Sequence, residues 1–420
     1  MAVAEPEPRE SPARGATGPR AAARLLTTRT FGPYFLGNSL SATGTWFQNL
    51  AGALLVYRLT HSTLLLGVLN FGQFAPVLLL APWAGPAADR FDKRRLLLAT
   101  QLVSTALSGA LALLVWGGLS EAWVVIAFGL GLGVMTAFSA PASQAIVGWL
   151  VPPEELSSAV GLNSMTYNVA RATGPALAAV TVKTLGIPAA LAINSASYVC
   201  FAAALLVVRP RPQTTTPQSS RLRDSLRLLR EEPRLAGLLL IVTAVGFASD
   251  PVNTLAPAFA RAFDRPDTWA GYIIGAFGAG AVTAALYLAG RITGSRRRMA
   301  VMLLLLGGGL VGFCLVPWLW LGLVILFVAG FGYLASNTAA TSRIQLEGGE
   351  AQRGRMMALW SIAFLGLRPI ASIIDGALAS AFGVRVAGIV LAVPALAAAA
   401  AILCLMHRGS ATSYTSPQDS

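Results

Sequence analysis

The chain has 420 residues, 55% of them apolar and only 12% charged, with a mean hydropathy of +0.65. A soluble domain carries about a quarter charged residues, so a conventional water-soluble enzyme is excluded, and the chain is too apolar to be disordered. The net charge of +13 would suit nucleic acid in a soluble protein, but the basic residues form short clusters between long apolar runs; lipid is the expected partner and nucleic acid is not.

Residues 1–29 are rich in Pro, Ala and Arg and lack an uninterrupted apolar stretch. They read as a flexible basic cytoplasmic tail, not a cleavable signal peptide. A bilayer core about 30 Å thick needs roughly 20 apolar residues per helix. Six such runs follow at 31–57, 62–84, 96–117, 121–149, 157–182 and 187–208. Six more lie at 234–260, 268–290, 299–318, 320–342, 355–381 and 384–407. The expected organisation is all-α and membrane-integral. Twelve spans divide into two six-helix bundles, 30–208 and 234–408, joined by a polar linker over 209–233, with a short tail at 409–420.

Orientation follows from the basic residues. Alternate gaps carry Arg90, Lys93, Arg94 and Arg95; seven in the linker region; Arg291 and Arg296 to Arg298; and Arg343, Arg353 and Arg355. The intervening gaps carry only Arg58, Lys183, Arg261, Arg265 and Arg385. By the positive-inside rule both termini are expected in the cytoplasm of a multi-pass protein of the cell inner (plasma) membrane. The halves also echo one another. Ala84-Gly85-Pro86 through Arg90 to Arg95 recurs in degenerate form as Ala289-Gly290-Arg291 through Arg298, and Arg171 and Arg368 each lie shortly before a proline. Two similar halves around a central axis are a common plan for secondary transporters.

These residues resemble the major facilitator superfamily. Gly85-Pro-Ala-Ala-Asp89-Arg90-Phe-Asp92-Lys93-Arg94-Arg95 is similar to that superfamily's loop between its second and third helices, with Asp92 where glycine is common. Ala137 to Pro141, Val151-Pro152, Glu154 to Leu156, Leu162 to Ser164, Arg171 to Pro175, Gln345 and Arg353 to Met356 resemble the branch of enterobactin exporters and macrolide efflux proteins. The resemblance implies two six-helix bundles working by alternating access, a cavity lined by the first, fourth, seventh and tenth helices, and proton-driven export. It also implies a gate in which Asp89 acts against the start of the eleventh helix, near Arg353 to Met357, with Gly85, Arg90, Arg94 and Arg95 in the same cluster.

Well inside the spans, away from their ends, the charges are Arg171, Asp250, Arg368 and Asp375. A charge at mid-bilayer costs about 2.5–3.5 kcal/mol on insertion scales, so it is expected to face the protein and mark coupling or substrate contact. Asp250, followed by Pro251, is a candidate proton carrier or a static partner for an arginine. Arg368 and Asp375, seven residues apart, share one helix face and are expected to pair. Arg171 has three open roles: binding an anionic cargo, pairing with Asp250 or packing. Polar stripes nominate Asn38, Ser41, Thr45, Gln48, Asn49, Asn253, Tyr333 and Asn337 as cavity-lining, with inter-helix hydrogen bonding as the alternative.

The three cysteines and two histidines are isolated, so no metal site is expected; no phosphate-binding glycine loop and no catalytic set occur. No cofactor is expected, the proton gradient being the energy source. The expected function is alternating-access, proton-coupled export of a small amphipathic molecule by a monomer. An importer or lipid flippase on the same fold, or a non-transporting membrane receptor, remain alternatives.

Overall fold

A computed structural model describes residues 19–208, 232–288, 295–347, 356 and 359–412. Most of both expected tails and of the linker, together with Arg291, Arg353 and Arg355, lies outside the described residues.

The described chain is helical throughout. The first half comprises α1 (Pro19–Leu26), α2 (Phe31–Thr60), α3 (Thr63–Leu79), α4 (Ala81–Arg90), α5 (Lys93–Trp116), α6 (Ala122–Leu150), α7 (Leu156–Leu185) and α8 (Ile187–Val207). The second comprises α9 (Pro233–Thr254), α10 (Ala256–Ala262), α11 (Ala270–Leu288), α12 (Arg296–Leu315), α13 (Leu319–Glu347), α14 (Arg368–Phe382) and α15 (Val384–Thr412). Side-chain caps begin several of them. Ser62, Asp92 and Ser295 accept from the backbone N–H groups of Leu65, Arg95 and Arg298, satisfying donors that a helix start leaves open. Asp92 therefore starts α5.

Nine helices among the described residues are long and apolar enough to cross a membrane, ten when the bent pair α3/α4 is one span. That pair turns by 57° where Pro76 and Pro82 interrupt the hydrogen-bond ladder. Proline also brackets the break at Leu255, between Pro251 of α9 and Pro257 of α10. Ahead of α14 a π-helical turn runs over Ile362–Gly366. Two further helices, α2 and α7, have 30 residues each, about 45 Å at 1.5 Å per residue; their polar residues keep them out of the apolar set.

One part of the expected tail is ordered. Pro19–Leu26 is a helix whose Leu25 is buried against Phe31, Tyr34, Leu150 and Val151, and Arg24 pairs with Glu155. The flexible-tail expectation is thereby corrected for these residues: an amphipathic turn beside an apolar groove gains more from burial than it loses in chain entropy.

Helices pack mainly within their own half: α2 on α7 and α8, α5 on α6 and α8, then α11 and α12 on α13, and α15 on α9 and α12. Two extensive contacts cross between halves, α3 with α14 and α7 with α11. They are reciprocal, the second span of each half meeting the fifth of the other, as a pseudo-two-fold axis requires. Small residues make them. A Cβ on Gly376 would stand 2.8 Å from the Thr63 carbonyl oxygen, one on Gly271 2.7 Å from that of Pro175, and one on Gly278 2.5 Å from Cα of Ala172. Thr63 also donates its hydroxyl to the Gly376 carbonyl at 3.3 Å.

These seams lie toward the end of the molecule where α2, α7 and α14 terminate. There Arg58 of α2 grips Asp267, just before α11, through Nε at 2.6 Å and a terminal nitrogen at 3.1 Å. The other end carries Arg24, Arg94, Arg234, Arg296 and Arg343 and is called the basic end below. At the basic end α4 packs on α3, α5 and α6, all in its own half.

Candidate substrate and coupling site

The buried charges meet midway along the helices. Asp250 of α9 is 1% exposed and accepts three hydrogen bonds: from Arg368 Nε at 3.2 Å, Ser372 Oγ at 2.7 Å and Thr254 Oγ1 at 2.8 Å. Ser372 stands one turn beyond Arg368 on α14 and Thr254 one turn beyond Asp250 on α9, so both donors reach the carboxylate from helix geometry alone. A buried ion pair is tolerated when its remaining lone pairs are occupied, as here; removing one partner of such a pair typically costs about 3–5 kcal/mol.

Aromatic rings surround the two arginines. The Arg368 guanidinium lies 4.3 Å from the Phe74 ring centroid and 5.7 Å from that of Trp46. Arg171 lies 5.5 Å from the same Trp46 ring and 4.7 Å from Tyr333, whose hydroxyl accepts a hydrogen bond from Arg171. Such cation–π contacts stabilise a desolvated guanidinium. Trp46 of α2 and Arg171 of α7 belong to the first half, Tyr333 of α13 and Arg368 of α14 to the second. The polar centre is therefore built by both halves, and no motion of one against the other leaves it unchanged.

Asp375 is fully buried, and neither carboxylate oxygen meets a hydrogen-bond donor among the described residues. The expected Arg368–Asp375 pair does not form. Seven residues along a helix is about 10.5 Å of rise, whereas Asp250 on the neighbouring helix lies within reach of Arg368.

The polar stripes divide. Ser41 donates to Gln101 at 3.2 Å, Thr45 shares a hydrogen bond with Tyr198 at 3.2 Å, and Gln48 accepts from Ser108 and Asn194 at 2.5 Å each. All of these partners lie on α5 and α8, so these three residues bind the first bundle together, and the cavity-lining expectation is corrected for them. Asn38 donates to Asn163 of α7 at 2.9 Å, while Asn49 is half-buried. Asn253 donates to the Ser249 carbonyl, and its own side-chain oxygen is buried without a donor among the described residues, as is that of Asn337. Tyr333 is at the polar centre.

Of the gating cluster, Gly85 and Asp89 lie in α4, with open space where a Gly85 Cβ would stand. Arg90 is exposed. Arg94 donates to the carbonyls of Leu205 and Leu206 at 2.5 Å, capping the end of α8, and Arg95 contributes its backbone N–H to the Asp92 cap. The Asp89 side chain, and the expected opposing residues 353–357 apart from Met356, lie outside the described part. Sequence reasoning did not single out Trp46, Phe74 or Ser372, which read as ordinary members of their spans, nor the Arg58–Asp267 pair, of which Arg58 was counted only for orientation and Asp267 was not considered.

A polytopic helical chain in two pseudo-symmetric halves, with a buried charged centre built by both, has the architecture of a secondary transporter. It aligns with a TM-score of 0.72 and 15% identity to a bacterial homologue of the human lysosomal transporter Spinster, solved inward-facing and occupied, over 93% of this chain and 98% of that one. The chain belongs to the transmembrane secretion effector family of the major facilitator superfamily, whose family model matches residues 22–418. It is 25% identical to the staphyloferrin A transporter of Staphylococcus aureus over 367 residues, covering 84% of this chain and 90% of that protein. It is 26% identical to the enterobactin exporter of Shigella boydii over 393 residues, covering 87% and 92%. The protein is thus a multi-pass membrane transporter of a small molecule and not an enzyme.

Proposed function

We propose that the protein is a monomeric, twelve-span exporter of the plasma membrane that carries a small amphipathic molecule outward in exchange for protons. On this reading the basic end and both termini face the cytoplasm, following the distribution of Lys and Arg. The end sealed by the α3–α14 and α7–α11 seams then faces outward, and the structure is the state open to the cytoplasm. The printed name of the enterobactin exporter supports outward movement of a small-molecule cargo.

The observation that carries proton exchange is the buried Asp250–Arg368 pair with Asp375 beside it. A proton arriving at Asp250 cancels the charge that Arg368 holds, loosening α9 from α14 in the half that must swing. No cofactor is required for such a cycle. The Asp89 cluster serves as the latch at the cytoplasmic mouth.

Uptake into inside-out vesicles with and without an imposed pH gradient tests this. Wild-type protein should accumulate a fluorescent amphipathic cargo only with the gradient. Asp250→Asn should lose that accumulation while still exchanging labelled for unlabelled cargo. Gradient-driven accumulation by the variant would remove Asp250 from coupling, and gradient-independent transport by the wild type would reject proton exchange.

A further inference from the structure

Among the described residues, Arg171 is a buried charge with no carboxylate in ion-pair contact. The residue is 7% exposed. Among the described residues the acceptor bonded to its guanidinium is the neutral Tyr333 hydroxyl, and no carboxylate oxygen lies within 4.0 Å. The second arginine at this level, Arg368, is matched by Asp250. Asp375 forms an ion pair with neither arginine. A guanidinium offers five N–H donors in a rigid fork, and aromatic faces stabilise its charge without neutralising it. Buried cations in proteins are otherwise paired. One turn from Tyr333 toward the basic end, the Asn337 side-chain oxygen is buried and has no donor among the described residues, leaving a further unfilled polar position on the same helix.

We propose that the cargo supplies the missing counter-charge: Arg171 binds the anionic group of an amphipathic organic anion, such as a carboxylate held by two N–H donors, with the apolar body of the cargo against Trp46 and Tyr333. This names the cargo class of the export reading above and rests on it. A membrane potential negative inside drives such an anion outward, in the direction proposed.

The test is equilibrium binding to the full-length protein in lipid nanodiscs, followed by fluorescence polarisation of three matched probes: pyrenebutyrate, its methyl ester and pyrenebutyl-trimethylammonium. The anion should bind at least about tenfold more tightly than the ester and the cation, the gain expected of a charge-assisted contact. Arg171→Gln should weaken the anion by roughly 10- to 100-fold and the ester by much less, so that the anion's preference over the ester collapses. Arg171→Lys, which keeps the charge and loses the fork, should recover part of the loss. Should Arg171→Gln prove polydisperse, Tyr333→Phe together with Arg171→Lys carries the comparison, because the anion's preference must still fall below wild type. Equal binding of all three probes, or an unchanged anion affinity in the Arg171 variants, overturns the proposal. The assay applies no gradient. Anion-selective binding without pH-driven export would therefore defeat the export reading and leave the cargo class standing, whereas gradient-driven export of the cation without anion binding would do the reverse.

Discussion

Replacing Asp267 by asparagine removes the negative charge from the ion pair that ties the two halves together at the closed end. Asparagine is nearly isosteric and can still accept one N–H, so packing is preserved and the change isolates the charge. Arg58 holds Asp267 by a two-pronged contact at 2.6 and 3.1 Å, a geometry worth about 1.5–3 kcal/mol when dry. The Asp267 side chain is 6% exposed but that of Arg58 is 40% exposed, and a fully solvated pair contributes only about 0–1 kcal/mol. The half-solvated arginine puts the value between these limits, at about 1–2 kcal/mol. Because the contact exists only while this end is shut, its loss falls on the open–closed balance and shifts it by about 5- to 30-fold toward opening. Spin labels at Leu119 and Trp318, both exposed and at this end of opposite halves, report the opening by double electron–electron resonance after Cys200, Cys314 and Cys404 are replaced. The longer-distance population should grow in Asp267→Asn, and exchanging the two residues as Arg58→Asp with Asp267→Arg should restore the wild-type distribution. An unchanged distribution in Asp267→Asn would refute the reasoning.

Gly376→Ala introduces a Cβ 2.8 Å from the Thr63 carbonyl oxygen and 3.1 Å from Leu64 Cα; the same label pair should separate, with helical circular dichroism unaltered, and a wild-type distance distribution would argue against the seam. Asp250→Asn and Arg368→Leu should each destabilise the protein by about 3–5 kcal/mol by stranding a buried partner, and the double variant should lose less than the two combined; additive losses in thermal unfolding would show that the pair is not coupled. Asp89→Asn should insert normally and transport more slowly, so full-rate transport by that variant would take Asp89 out of the latch.

Much of the architecture could be read from the sequence because the bilayer imposes it: a span needs its twenty apolar residues whatever the cargo. The runs from 96 and 299 correspond closely to α5 and α12, whereas the run 234–260 is divided at Leu255 into α9 and α10. The charged centre was legible as a set of residues but not as partnerships. Spacing reports which residues share a helix face; it does not report which neighbour that face meets. Arg368 and Asp375 share a helix, yet Asp250, 118 residues away in sequence, holds the arginine. Ser41, Thr45 and Gln48 were correctly a polar face of α2, but that face looks into its own bundle. Trp46 carries no mark in the sequence that sets it apart, since an aromatic residue in an apolar helix is ordinary until a cation is found above it.

The small residues at the two crossing seams determine what kind of door the transporter has. Gly376 stands against Thr63 and Leu64, Gly271 against Pro175, and Gly278 against Ala172, with backbone lying on backbone. Where backbone meets backbone in this way no bulky side chain stands between the helices, so parting them at these points incurs little of the penalty for wetting hydrocarbon. A zipper of leucines would lock one state. A smooth glycine joint leaves the two states close in free energy, so that a single ion pair, or the arrival of a cargo, is enough to decide which way the molecule faces.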